Sequence, residues 1–145
     1  MNNYIENVMK RYNHLVGEIN AVYHEMALKQ GLSDSASRIL YTICDEGESC
    51  PLQDICRLSG LSKQTVNSAL RKMEQEDIVY LKAAGLKNKT VCLTENGKQL
   101  VDRTSRRVLQ IENEIFASWP QEDVRKYLEL TELFLHNLKE RAESL

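Results

Sequence analysis

Apolar side chains recur at steps of three or four residues near both ends of this 145-residue chain, and this spacing constrains the fold more than any other feature. Such steps are typical of amphipathic helices that bury one face. The first stripe covers about six helical turns and consists of Ile5, Val8, Tyr12, Leu15, Ile19, Val22 and Met26. The chain has only six glycines and two prolines, which favours a mainly helical fold.

The C-terminal part of the chain carries two further stripes. Thr94 is predicted to cap one long helix that reaches about Ala117, and Trp119-Pro120 separates it from a last helix that begins at Gln121. A chain of this length has little core left to cover three long stripes, so we predict that they pair with a second copy. The alternative is that they fold back on the middle of their own chain. The predicted dimer contacts are Ile5, Val8, Tyr12, Ile111, Ile115, Tyr127, Phe134 and Leu138.

The segment from Leu52 to Met73 has the pattern of a helix-turn-helix. A first short helix is predicted to begin with Pro51 in its first turn and to turn Ile55 and Leu58 inward. Gly60 lies where the turn between the helices needs a positive φ. Before this segment, a helix capped by Ser33 or Asp34 is predicted to end near Gly47, after the stop signal at Gly31.

The outer face of the second helix of this motif is rich in hydrogen-bond donors. Such side chains suit base edges and phosphates in a DNA major groove, although a solvated helix face uses the same residue types. The predicted DNA contacts are Ser62, Lys63, Gln64, Thr65, Asn67, Ser68, Arg71 and Lys72.

A basic hairpin is predicted directly after this helix. Its strands are 78–81 and 90–93, and 84–89 form a polar tip longer than a tight turn. The predicted DNA contacts of this wing are Lys82, Lys87, Asn88 and Lys89. Residues 60–99 carry seven Lys and Arg against four Asp and Glu, whereas both flanking segments are net acidic. The charge distribution therefore places any polyanion-binding surface in the middle of the chain.

Two segments carry a resemblance to a known family. Leu61-Ser62-Lys63-Gln64-Thr65-Val66 and Val91-Cys92-Leu93-Thr94-Glu95-Asn96-Gly97, together with the order of helices, resemble the MarR family of bacterial transcriptional regulators. The resemblance implies a homodimeric winged helix-turn-helix protein, mainly α with a small β-hairpin wing, in which N- and C-terminal helices form the dimer interface. Residues 1–145 would be a single MarR-like domain, with dimerisation helices in 1–32 and 98–145 and a DNA-binding lobe in 33–97.

The resemblance also implies a function. Family members bind near-palindromic operators in double-stranded DNA, mostly as repressors, and many release DNA when a small aromatic or phenolic ligand binds or a cysteine is oxidised. The wing departs from the family pattern, because Gly85 and Lys87 stand where an Asp-x-Arg is usual. Lys cannot make the planar forked contact of Arg. We therefore expect Lys87 or Lys89 to contact a phosphate or to make a looser groove contact.

Ligand and redox roles have weaker signals. The candidates for a ligand pocket are Tyr12, His14, Tyr23, His24 and Tyr41, each of which also suits an ordinary core or surface position. Cys50 is the candidate redox sensor, but its acidic neighbours in 45–49 should raise its pKa and disfavour the thiolate. No two cysteines have CxxC spacing, and no metal site or cofactor is predicted.

Other classes of protein fit the sequence less well. The N-terminus lacks the features of a signal peptide and no apolar run approaches a membrane span, so a cytoplasmic protein is expected. No nucleophile–base pair or glycine-rich phosphate loop indicates an enzyme. The alternative to DNA binding is a winged-helix module that binds another protein.

Overall fold

The computed structural model of the chain describes residues 2–145. It is mainly helical with a small antiparallel sheet, which confirms the predicted fold class. One compact unit extends to Arg106 and a second comprises Arg107–Leu145. The elements are α1 (Asn3–Lys29), α2 (Asp34–Glu46), β1 (Ser49–Pro51), α3 (Leu52–Ser59), α4 (Lys63–Gln75), β2 (Val79–Ala84), β3 (Asn88–Leu93), α5 (Glu95–Arg103), α6 (Ser105–Ala117) and α7 (Gln121–Ala142).

Local capping sets the ends of the first two helices. The Asn2 side chain accepts a hydrogen bond from the Tyr4 amide at 3.2 Å, and Ser33 Oγ accepts one from the Ala36 amide at 3.2 Å. Each bond satisfies a backbone donor that a helix start leaves free. Gly31 follows α1 with φ of 72°, a conformation that glycine adopts without a Cβ clash. The predicted stop at Gly31 and cap at Ser33 are confirmed.

The sheet has three strands in the order β1-β3-β2, all antiparallel. The sequence predicted β2 and β3 but missed β1, which has only three residues and ends in Pro51. Pro51 is thus the last residue of a strand and the N-cap of α3, not a residue of the first helical turn. Cys50 pairs with Val91 in this sheet, and both side chains are fully buried.

The core of the first unit lies between the helices and one face of the sheet. Helix α2 supplies Ile39, Leu40 and Ile43, which are completely buried. α3 contributes Ile55, but Leu58 is 47% exposed, which contradicts its predicted inward position. The reason is the position of Leu58 around the helix axis. The side of α3 that packs on the core holds Leu52, Cys56 and Ser59 beside Ile55, and Leu58 projects from a different side.

The long helix predicted from Thr94 to about Ala117 is wrong, because the chain breaks it at Thr104. That residue has φ −124° and ψ −86°, so α5 ends at Arg103 and α6 begins at Ser105. Thr104 Oγ1 donates to the Leu100 carbonyl at 2.6 Å, a side-chain bond that bends helices. The Thr104 carbonyl also accepts a hydrogen bond from Gln30 Nε2 at 3.2 Å. Gln30 lies 74 residues earlier in the sequence, so the spacing of apolar residues along the helix could not predict this contact.

The second unit contains most of α6 and all of α7. Aromatic rings of Phe116, Trp119 and Tyr127 contact one another across the connection between these helices, with centroids 5.1 to 6.0 Å apart. The break at Trp119-Pro120 and the start of α7 at Gln121 are confirmed. No residue of α7 is buried. None of the helices in 2–145 is both long and apolar enough to cross a bilayer.

Candidate nucleic-acid interface

The turn between α3 and α4 determines where the second helix begins. Gly60 is left-handed, with φ of 70°, as the sequence predicted. Ser62 then caps α4: its Oγ accepts from the Thr65 amide at 3.1 Å and donates to Thr65 Oγ1 at 2.8 Å. Both hydroxyls are thus engaged at the helix start. The cap leaves the side chains that follow to point outward from a well-defined first turn.

Helix α4 has one buried face and one polar face. Val66, Leu70 and Met73 are buried. The opposite side forms an open depression of about 460 Å³. It is lined by Lys63, Gln64, Asn67, Ser68 and Arg71. The structure therefore brings together five of the eight residues predicted to contact DNA from this helix.

The other three predicted residues have local partners. Ser62 and Thr65 form the helix cap described above, and Lys72 Nζ lies 4.0 Å from Glu76 Oε1, one turn further along α4. These side chains remain exposed. Exposed ion pairs of this kind contribute little to stability, so Lys72 can leave Glu76 for a phosphate at small cost.

The wing is longer in its strands and shorter at its tip than predicted. β2 and β3 pair as far as Ala84 and Asn88, so the turn contains only Gly85, Leu86 and Lys87. Asn88, predicted at the tip, is the first residue of β3. The four predicted wing residues Lys82, Lys87, Asn88 and Lys89 are all exposed on this hairpin.

A contact that sequence reasoning missed joins the wing to α3. Gln53 Nε2 donates to Asn88 Oδ1 at 3.2 Å, between residues 35 positions apart. No local pattern indicates such a pair, because both residues read as ordinary exposed polar side chains. The bond joins the base of the turn to α3. It also engages the Asn88 oxygen, leaving the Asn88 amide NH₂ group for another acceptor.

The segment after the wing holds β2, β3 and α5 together. Thr94 Oγ1 accepts from the Gly97 amide at 2.9 Å and donates to the Asp77 carbonyl at 2.6 Å. Asp77 has a positive φ of 59°, which is uncommon for a non-glycine residue. A Cβ on Gly97 would lie 2.0 Å from the Ile78 carbonyl oxygen. The Thr94–Gly97 segment therefore permits a close backbone approach at the root of the wing.

Apart from Lys72, the cations of this surface do not pair with neighbouring carboxylates. Within residues 2–145, Lys98, Arg106 and Arg125 each form an ion pair with Glu or Asp. No such pair involves the five cations Lys63, Arg71, Lys82, Lys87 and Lys89. Their charge is therefore available to a polyanion without breaking an internal contact.

The cysteines are poorly placed for redox sensing. Burial raises the pKa of Cys50 to about 11, with further upward contributions from the carboxylates of Glu46 and Asp54. The predicted direction is confirmed, but the main cause is burial in β1 and not the acidic turn. Burial also raises the pKa of Cys44. Because the thiolate is the reactive form, this argues against the redox alternative through Cys50.

Cys50 is expected to resist alkylation by iodoacetamide in the folded protein at pH 8. Raising its pKa from 9.0 to about 11 leaves roughly a hundredfold less thiolate at that pH. The rate should climb with pH up to about 11 and should reach that of an ordinary cysteine in denaturant. Peptide mapping by mass spectrometry measures the alkylation rate at each pH and in denaturant, with the half-buried Cys56 as internal reference. Rapid modification of folded Cys50 at pH 8 would contradict the assignment.

The predicted ligand residues lie on the first two helices of the chain. His24 Nδ1 lies 2.9 Å from both carboxylate oxygens of Asp34, an exposed pair that joins α1 to the start of α2. Tyr12 and Tyr23 are partly exposed on α1, and Tyr41 lies on α2. The proposed pocket stays a prediction. Within 2–145, no group of three His, Cys, Asp or Glu side chains is arranged to hold a metal ion.

These elements define a winged helix-turn-helix protein: two short helices joined by a left-handed glycine, a polar outer helix face and a basic hairpin. The MarR family model matches residues 30–86, which span α2 to the tip of the wing. No curated protein sequence matches the chain at a significant level.

Solved structures share the fold over nearly the whole chain. A MarR family regulator from Neisseria meningitidis aligns with a TM-score of 0.80 and 20% identity, covering 100% of both chains. The MepR–DNA complex from S. aureus aligns at 0.67 and 16%, covering 89% of this chain and 96% of that one. BpsR from Bordetella bronchiseptica, whose DNA binding is regulated by 6-hydroxynicotinic acid, aligns at 0.63 and 16%, covering 86% and 98%. The resemblance to the MarR family of transcriptional regulators is confirmed, and the chain has the fold of that family.

Proposed function

We propose that this protein is a homodimeric, sequence-specific DNA-binding regulator of transcription. The observation that carries the proposal is the outer face of α4, where Lys63, Gln64, Asn67, Ser68 and Arg71 line one depression. The helix has no carboxylate before Glu74, so nothing in its first three turns repels phosphate. The positive end of the helix dipole at Ser62 adds to this attraction.

The chemistry of the depression suits base recognition. Arg71 can donate two bonds to the O6 and N7 acceptors of guanine, and Asn67 or Gln64 can pair with the N6 and N7 edge of adenine. Lys63 stands at the first residue of α4, close to where a helix entering the major groove meets the phosphate backbone. The wing lysines Lys82, Lys87 and Lys89 then contact the adjacent backbone or minor groove.

The dimer proposal is supported by the apolar side chains that each unit leaves exposed. On α1, Ile5, Val8 and Tyr12 are 45 to 52% exposed in a single chain. In the second unit, the same is true of Ile111, Ile115, Tyr127, Phe134 and Leu138, at 44 to 55%. Large continuous apolar surfaces are typical of protein interfaces. A two-fold dimer through residues 1–32 and 98–145 would cover them and present two copies of α4.

The regulatory proposal is that of a repressor released by a small aromatic or phenolic ligand. It rests on relatives with the same fold: MepR was solved with DNA, BpsR is regulated by 6-hydroxynicotinic acid, and NadR was solved with 4-hydroxyphenylacetate. Those hydroxylated aromatic acids are therefore the first probes to use. Binding that lowers DNA affinity would support release by ligand, and an unchanged DNA affinity would restrict the proposal to DNA binding alone.

Selection of duplexes from a random DNA pool tests the function directly. We expect enrichment of a two-fold symmetric site whose half-sites are centred about one helical turn apart, and a steep fall in affinity with salt. Sedimentation equilibrium of the free protein should give the mass of two chains. A dimer that enriches no sequence would contradict DNA recognition and would favour the protein-binding alternative.

Lys87→Ala is expected to weaken binding to the selected operator several-fold and to reduce the slope of log K against log salt by about 1, because one phosphate contact releases about one counterion. The loss should be similar on unrelated sequences, since a phosphate contact carries no base information. Lys126→Ala on α7 is the control that removes the same charge elsewhere. An unchanged slope in Lys87→Ala would contradict the wing assignment.

A further inference from the structure

The tip of the wing carries an apolar side chain that the protein does not use. Leu86 is 105% exposed, a value exceeded among the large hydrophobic side chains of residues 2–145 only by the C-terminal Leu145. It occupies the middle of the three-residue turn, between Gly85 with φ of 83° and Lys87. The exposure of a leucine side chain to water is unfavourable. Contact with an apolar surface would remove it from water and lower the free energy.

The hairpin is narrow where Leu86 emerges. On β2 the last residues before the turn are Ala83 and Ala84, so the strand carries only methyl groups there, and Gly85 carries no side chain. Their partners on β3 are Lys89 and Asn88. The small residues of β2 reduce the bulk that this tip would bring into a narrow cleft such as the minor groove of B-form DNA.

The lysines lie on both sides of this narrow tip. Successive residues of a strand point to opposite faces, and directly paired residues share a face. Lys82, paired with Thr90, therefore lies on one face of the wing, whereas Lys89, paired with Ala83, lies on the other. A body inserted in a minor groove has a phosphate backbone on each side, which matches a cation on each face.

The wing is also held in place before DNA binds. Gln53 on α3 donates to Asn88 directly after the turn, and the Thr94 hydroxyl bonds to Asp77 and Ile78 at the root of β2. A braced tip loses less conformational entropy on insertion than a mobile loop.

From this combination we propose that Leu86 is an apolar wedge that enters the DNA minor groove and partly unstacks one base step, with Lys82 and Lys89 on the phosphates of the two strands. Apolar side chains that enter between base steps act in this way in other minor-groove proteins. The proposal rests on the DNA-binding function above and adds a specificity device: flexible pyrimidine–purine steps unstack most easily, so they are preferred under the tip.

The test uses the full-length protein and its selected duplex, with 2-aminopurine placed in turn at each adenine. We expect the wild type to raise the fluorescence at one step in each half-site by about twofold or more, because the base loses its stacking partner. Leu86→Ala should abolish that rise and lower affinity about tenfold. Since no charge is removed, the salt slope should stay unchanged, unlike that of Lys87→Ala.

Two variants complete the test. Leu86→Met keeps an apolar wedge and should retain both fluorescence and affinity, whereas Leu58→Ala, which truncates an exposed leucine on α3, should change neither. If the wild type binds its operator and Leu86→Ala binds within about twofold with the same fluorescence, the wedge is overturned and DNA binding stands. If the wild type enriches no duplex at all, the DNA-binding function fails, and the wedge with it.

Discussion

Replacing Gly97 with alanine should lower the free energy of unfolding by about 2 to 3 kcal/mol, the largest stability effect that we expect from a single methyl group in this chain. The new Cβ would lie 2.0 Å from the Ile78 carbonyl oxygen, and that oxygen belongs to backbone. The same carbonyl accepts hydrogen bonds from the Thr94 amide and hydroxyl. The clash can therefore be relieved only by separating α5 from the root of the wing.

The comparison with an exposed site in the same helix makes this prediction specific. At Gln99, alanine should be more stable than glycine by up to about 1 kcal/mol, which is the ordinary helix preference. At position 97 glycine should instead be more stable than alanine. Denaturant unfolding at one fixed protein concentration measures the wild type and the three variants, since the stability of the proposed dimer would depend on concentration. Gly97→Ala as stable as the wild type would show that the backbone contact is not held in solution.

Arg71→Ala is expected to weaken binding to the selected operator by about 10- to 100-fold, which corresponds to the loss of a bidentate base contact. Arg71 lines the α4 depression and forms no internal ion pair with residues 2–145. Its removal therefore costs the folded protein little. If the guanidinium reads a base, the preference at one operator position should also relax, and a second selection with the variant measures that change.

Arg103→Ala is the matched control, because it removes the same charge from an exposed position on α5, outside α4 and the wing. If Arg71→Ala lost no more affinity for the operator than Arg103→Ala, only the net charge of the protein would matter for DNA binding. Equal losses on operator and random DNA, together with a shallower salt slope, would reassign Arg71 to a phosphate. Circular dichroism of both variants should be unchanged.

The features that the sequence predicted correctly are those that depend on neighbouring residues. Ser33 and Thr94 each precede a helix and accept a hydrogen bond from an amide three residues later, so the chain itself carries the signal. Gly31 and Gly60 have positive φ at helix ends for the same local reason. The buried face of α4 follows from its apolar spacing. Five of the eight residues predicted on its outer face then necessarily share one surface.

The features that it missed depend on partners far away in the chain. Strand β1 has three residues and becomes a strand only because β3 supplies its hydrogen bonds. Thr104 continued an apolar stripe without interruption, yet its carbonyl accepts a hydrogen bond from Gln30, 74 residues earlier, and the helix breaks there. Leu58 matched a helical step but lies outside the arc of α3 that the core covers.

The sequence by itself determined most of the helices, the caps at Ser33 and Thr94, the turn of the helix-turn-helix and the basic character of its middle segment. Each of these follows from backbone propensity, side-chain period or charge within a few residues. Only the tertiary structure decided the length and bracing of the wing, since the Gln53–Asn88 bond and the pairing to Ala84 join separate elements. It also decided which side chains stay exposed, Leu86 above all, because exposure depends on what the rest of the fold covers.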